Sequence, residues 1–180
     1  MTYGNRLTLH LNGEEVQLIA VPRAHTDGDT LVCFPGLDVI MPGDFYRSIQ
    51  YPNIDRNNGG TLAGLLDGLG ALIGRAGPAT KIIPGHGPTV DRAAVIAHRD
   101  LVLTIRDRIA ALLAQGKTED DVVSAKVTAD FDARIQQPSC GAWYARIESV
   151  TGTAPTWWWS HMTVTRRYSS RWGEAAAEQR

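Results

Sequence analysis

A chain of 180 residues, 43% hydrophobic and 21% charged, is long enough to bury the core of one domain and has an ordinary globular composition. Its formal net charge of -1 gives no bias toward nucleic acid or an anionic membrane surface. No apolar stretch approaches the roughly 18–20 residues that span a bilayer, Met1–Arg6 has no signal-peptide pattern, and two cysteines make no disulfide framework.

Leu7, Leu9 and Leu11 alternate with polar residues, Asn12-Gly13 follows, and Val16, Leu18 and Ala20 alternate again. That pattern predicts a β-hairpin, because Asn-Gly supplies the positive φ angles of a primed turn. Thr30–Phe34 and Asp38–Met41 read as two further short strands joined at Pro35-Gly36. Cys33 falls inside the first of these as a small core residue. Leu62, Leu65, Leu66, Leu69, Leu72 and Ile73 keep helical spacing. The glycines at 64, 68, 70 and 74 weaken that helix, so packing must hold it, through close approach to a sheet. Gly77-Pro78 ends it, and Lys81-Ile82-Ile83 is a brief buried strand. Val95, Val102, Ile105, Ile109, Leu112 and Leu113 mark a longer helix stopped by Gly116. Thr118-Glu119-Asp120-Asp121 caps a short helix through Lys126.

The composition then changes. All five tryptophans (Trp143, Trp157, Trp158, Trp159 and Trp172) lie after residue 140, in a stretch with neither period 2 nor period 3.6. The expected organisation is a domain over 5–134 and a poorly ordered tail over 135–180, with a frayed helical turn from Gly173.

Three pieces carry chemistry: Ala24-His25-Thr26-Asp27-Gly28-Asp29, Pro42-Gly43-Asp44 and Pro84-Gly85-His86-Gly87. Each follows an apolar run and reads as a tight turn bearing a metal-capable side chain. A histidine at a strand end suits zinc, since the strand fixes its base while the loop aims the imidazole. Asp27 or Asp29 is placed to accept from the second ring nitrogen of His25 or to bond backbone amides of the turn. A carboxylate such as Asp44 can bridge two cations that keep it ionised. The glycines around His86 let the backbone approach closely. His10 and His98 read as surface residues, and His161 has no supporting context. Tyr46, Arg47, Tyr51 and Asp55 read as lining the adjoining groove.

From Asn5 to Asp132 the chain resembles the C-terminal part of a metallo-β-lactamase-fold hydrolase. The resemblance is to a branch in which Ala-His-Thr-Asp-Gly-Asp, Gly-Asp, Tyr-Pro-x-Ile-Asp and Pro-Gly-His-Gly occur in this order, here at 24–29, 43–44, 51–55 and 84–87. The resemblance implies an incomplete αββα sandwich of the α/β class: a strand hairpin, a mixed sheet and two or three flanking helices. It implies His25 as the third histidine of a first metal position, Asp44 as the carboxylate between two metals, and His86 as a ligand of the second. The implied cofactor is zinc, two ions in intact relatives, and the implied chemistry is hydrolysis by a metal-activated hydroxide. Relatives act on β-lactams, thioesters, lactones, phosphoesters and sulfur compounds, which leaves the small-molecule substrate open.

The His-x-His-x-Asp-His motif of that family is absent, since no His-x-His occurs anywhere in the sequence. The expectation is therefore a truncated domain with an incomplete metal site, weak or partial zinc binding and no activity alone. The alternative is a non-catalytic fragment that associates through an uncovered sheet face with a partner or itself. A third reading is a binding module built on Trp157–Trp159. A cytoplasmic location follows only if Met1 is the true start.

Overall fold

A computed structural model describes residues 4–135. Strand β1 (Arg6–Leu11) turns into β2 (Glu14–Val21) with Leu11 opposite Glu14. Asn12 and Gly13 have φ of 56° and 82°, the primed two-residue turn that Asn-Gly predicts. Strand β3 (Asp29–Phe34) pairs antiparallel with β2, and a single 3-10 turn at Pro35–Leu37 leads into β4 (Val39–Arg47). The strand order is β1-β2-β3-β4-β5, antiparallel as far as β4, with β5 (Lys81–His86) parallel to β4. A parallel neighbour requires a crossover, and helix α1 (Leu62–Arg75) supplies it.

Helix α1 begins where the Thr61 hydroxyl accepts from the Gly64 N–H at 3.0 Å. It buries Leu62, Leu65, Leu69, Leu72 and Ile73 and half-buries Leu66, the residues whose spacing predicts the helix. Its glycines serve the close approach expected of them at one place in particular: a Cβ on Gly68 would stand 2.7 Å from Val21 Cγ1. Helix α2 (Arg92–Ala114) is capped by Asp91, whose carboxylate accepts from the Ala94 N–H at 2.9 Å. It ends at Gly116, whose N–H bonds the Leu113 carbonyl while that of Lys117 reaches back to Leu112. A capping box at Thr118 and Asp121 opens α3 (Glu119–Ser124). Helix α4 (Ala129–Asp132) is tied down by Arg108 to Asp130 at 2.6 Å and by Tyr51 Oη to Asp132 at 2.6 Å.

The buried sides of α1 and α2 meet Leu31, Cys33, Ile40 and Ile82 of the sheet in one core. Burial raises the Cys33 thiol pKa, as befits a core residue. His98 corrects the surface reading: it is buried in α2, with its ring edge-on to Tyr46 at 5.2 Å between centroids. Among the described residues no helix is long and apolar enough to cross a membrane. The tryptophan-rich stretch and the helical turn expected near Gly173 lie outside the described residues.

Candidate functional site

The three sequence pieces meet where β4 and β5 end beside the β2–β3 loop. Pro42-Gly43 is not a turn, as the sequence suggested, but an irregularity within β4, whose register against β5 shifts on both sides of Gly43. Such a bulge re-aims side chains. Phe45 and Tyr46 are consequently both buried, against the alternation of a regular strand, while Asp44 remains partly open. Arg47 lies opposite His86 in the parallel pairing, and the Ser48 N–H bonds the His86 carbonyl at 3.0 Å. The carboxylate of Asp44 therefore sits over Gly85, where a Cβ would stand 2.2 Å from Oδ1. Only glycine leaves that room.

His25 is held from the other side by the segment after Tyr51. Its backbone carbonyl accepts from the Asp55 N–H at 2.8 Å, and its Nδ1 lies 2.7 Å from the Asn53 carbonyl oxygen. A carbonyl can only accept, so Nδ1 carries a proton, and it is the Nε2 of the neutral ring that is left to act as a ligand. That Nε2 lies 3.9 Å from Asp44 Oδ2, and His86 Nε2 lies 3.3 Å from Asp44 Oδ1. Each imidazole thus faces a different oxygen of one carboxylate. Arg47 stands on the same flank, its guanidinium 3.5 Å from Asp44 Oδ2 and 3.1 Å from Gln50 Oε1. The His25 side chain is 14% exposed and that of His86 48%, so the pair opens to solvent on the β5 side.

Several neighbouring assignments change. Asp29 takes the second of its two expected roles, accepting from the Thr26 N–H of the turn at 2.9 Å, and the partner of the second ring nitrogen is the Asn53 carbonyl rather than Asp27 or Asp29. Asn53 carried no signal, because its role rests on a carbonyl 28 residues away in sequence. Tyr46 and Tyr51 are 1% and 3% exposed and belong to the core rather than to a groove. Burial lifts the Tyr46 phenol to about 12. Asp55 caps the turn at Arg56–Asn58, and hydrogen bonds from Asn58 lower its pKa. Of the four, Arg47 alone reaches the Asp44 carboxylate with its side chain, and Asp55 meets the cluster through its backbone N–H on the His25 carbonyl.

Two imidazole nitrogens and a carboxylate suit zinc in kind. A zinc ion with ligands at about 2.0–2.2 Å sets tetrahedral donors roughly 3.3 Å apart. The His86–Asp44 spacing matches that edge, and the His25–Asp44 spacing is longer. Among the described residues, however, no group of three or more His, Cys, Asp or Glu side chains is arranged to hold a metal ion as it stands.

No family model matches the sequence, and no curated protein matches it. Solved structures do. The sec-alkylsulfatase Pisa1 from Pseudomonas sp. superposes with a TM-score of 0.52 at 16% identity, over 69% of this chain and 21% of that one. Its S233Y F250G double mutant gives 0.56 at 15% identity over the same shares. A metallo-β-lactamase from Pontibacter korlensis gives 0.49 at 20% identity, over 57% of this chain and 47% of that one. The chain thus spans less than half the length of these structures. The likeness is one of fold: a mixed five-stranded sheet with flanking helices, shared with the alkylsulfatase.

Proposed function

We propose that this chain carries one side of a metal-dependent hydrolytic site, with zinc as the metal. In this reading His25 serves a first metal position, His86 a second, and Asp44 the place between them. One observation carries the proposal: the two Nε2 atoms face opposite oxygens of the same carboxylate, the arrangement a bridging carboxylate requires. His25, Asp44 and His86 would contribute donors to zinc, which would supply an acidified water as the nucleophile of metal-assisted hydrolysis.

The chain's own residues prepare those donors. The Asn53 carbonyl fixes the His25 tautomer and ring, as outer partners of ligating histidines do. Gly85 admits the Asp44 carboxylate, and Arg47 balances its charge. Three donors distributed over two positions leave each position short of the three or four protein ligands zinc takes. The chain alone therefore binds zinc weakly and is inactive.

Equilibrium dialysis against zinc tests this. Fewer than one tightly held zinc per chain is expected, with the residual binding lost in His25→Ala, Asp44→Asn and His86→Ala. Two tightly held ions per chain would contradict the incompleteness, and residual binding indifferent to all three substitutions would contradict the site.

A further inference from the structure

The segment that fixes His25 is itself held from the other end of the chain. Residues 51–55 belong to neither helix nor strand, so no regular ladder of backbone bonds sets their path. Side chains and a proline set it instead. Tyr51 and Ile54 are buried on either side of Asn53, at 3% and 4% exposure. The Pro52 ring locks its own φ, and a residue before proline is confined to extended backbone. Once the Tyr51 ring is placed, little freedom remains between it and the Asn53 carbonyl, which lies 2.7 Å from His25 Nδ1.

That ring is placed by a bond across 81 residues. The Tyr51 hydroxyl donates to Asp132 Oδ1 at 2.6 Å, the short length of an O–H donor on a carboxylate. Asp132 is the firm end of the pair, because α4 is fixed to α2 without help from Tyr51. Arg108 holds both oxygens of Asp130, at 2.6 and 2.8 Å, and the Val127 carbonyl at 2.6 Å. Its guanidinium also lies 5.2 Å from the centre of the Phe131 ring, which Arg134 approaches at 5.4 Å. Phe131 and Ile135 pack against the core. A phenyl ring at position 51 would fill the same space; what the hydroxyl adds is a fixed direction.

We infer that Tyr51 and Asp132 are positioning residues for His25. Acting through Pro52 and the Asn53 carbonyl, they hold the imidazole proton on Nδ1 and leave Nε2 free to ligate. A neutral imidazole without a fixed partner is free to carry its proton on either nitrogen, and a proton on Nε2 blocks the donor. The acceptor is main chain, so no change of the Asn53 side chain abolishes it, and the anchor is the part that can be varied. The consequence for zinc rests on the metal site proposed above, whereas the tautomer does not.

Long-range proton–nitrogen NMR of the histidine rings, in the zinc-free full chain at pH 8, reads the tautomer directly. Wild type should show His25 protonated on Nδ1. Tyr51→Phe and Asp132→Ala should each show a mixture of tautomers at His25 with His86 unchanged, and the double variant should be no worse than either. Asp132→Asn keeps an acceptor oxygen and should keep the wild-type pattern. Gly13→Ala strains the hairpin turn, where φ is 82°, at the end of β2 opposite the site. It should lower stability and leave the tautomer alone. With zinc added, Tyr51→Phe and Asp132→Ala should need about 3–10-fold more metal for the same His25 shift, less than the roughly 10–100-fold typical of direct outer partners. An unchanged tautomer in Tyr51→Phe, which keeps the buried ring, and in Asp132→Ala would overturn the proposal. So would an equal loss in Gly13→Ala. A tautomer lost in the two variants, with no zinc response at His25 even in wild type, would uphold the positioning and defeat the metal reading instead.

Discussion

His98 should give this protein a stability that falls in mild acid. Its Nε2 is buried without a hydrogen-bond partner, and its ring edge packs on Tyr46. Burial disfavours the imidazolium and holds the pKa at about 4 against an ordinary 6.5. The unfolded chain therefore takes up the proton first as pH falls. The neutral ring's contribution is complete above pH 6.5, declines by about one proton's slope below it, and is lost as pH drops through about 4. At about 1.4 kcal/mol for each pH unit between the two values, the loss is about 3 kcal/mol, a large share of a domain's typical stability. His98→Phe keeps an aromatic edge against Tyr46 and removes the titrating group. Since Nε2 has no partner to lose, the substitution should be near neutral at pH 7. Urea unfolding followed by far-UV circular dichroism at pH 7, 6, 5 and 4.5 measures both proteins. Wild type should lose stability progressively while His98→Phe loses about 2–3 kcal/mol less over the same range. Equal slopes for the two would mean that His98 does not carry the acid sensitivity.

Gly85→Ala should displace the Asp44 carboxylate, since the new Cβ would stand 2.2 Å from Oδ1, and reduce residual zinc binding at least tenfold in equilibrium dialysis. Tyr51→Phe removes the hydroxyl that meets Asp132 at 2.6 Å, and chemical denaturation should show a loss of about 1 kcal/mol. In a Cys140→Ser background, Cys33 should resist a thiol reagent in the folded protein and react at once in urea, because burial both hides the thiol and raises its pKa.

The elements with local causes were legible in the sequence. Asn12-Gly13 fixes its own turn geometry, Thr61 and Asp91 cap the helices they precede, and Gly116 ends α2 through its positive φ. His98 was misread although the signal was present. It lies three residues after Val95 and four before Val102, on the buried stripe of α2, and its polarity outweighed its position. The β4 bulge was not legible, because Pro42-Gly43 serves a turn and a strand irregularity equally well. That ambiguity is also why Tyr46 appeared to face a groove rather than α2. The site followed the same division. His25, Asp44 and His86 announced themselves by residue type and by the apolar runs before them, and the structure brings the three together. Asn53 acts through its backbone across 28 residues, and no side-chain motif records such a contact.

Histidine-selective NMR during zinc titration tests the metal edge most directly. The Nε2 resonances of His25 and His86 should shift together, Nδ1 of His25 should keep its proton against Asn53, and His10 and His98 should not respond. A response at His10 or His98, or none at His25 and His86, would contradict the proposed metal edge.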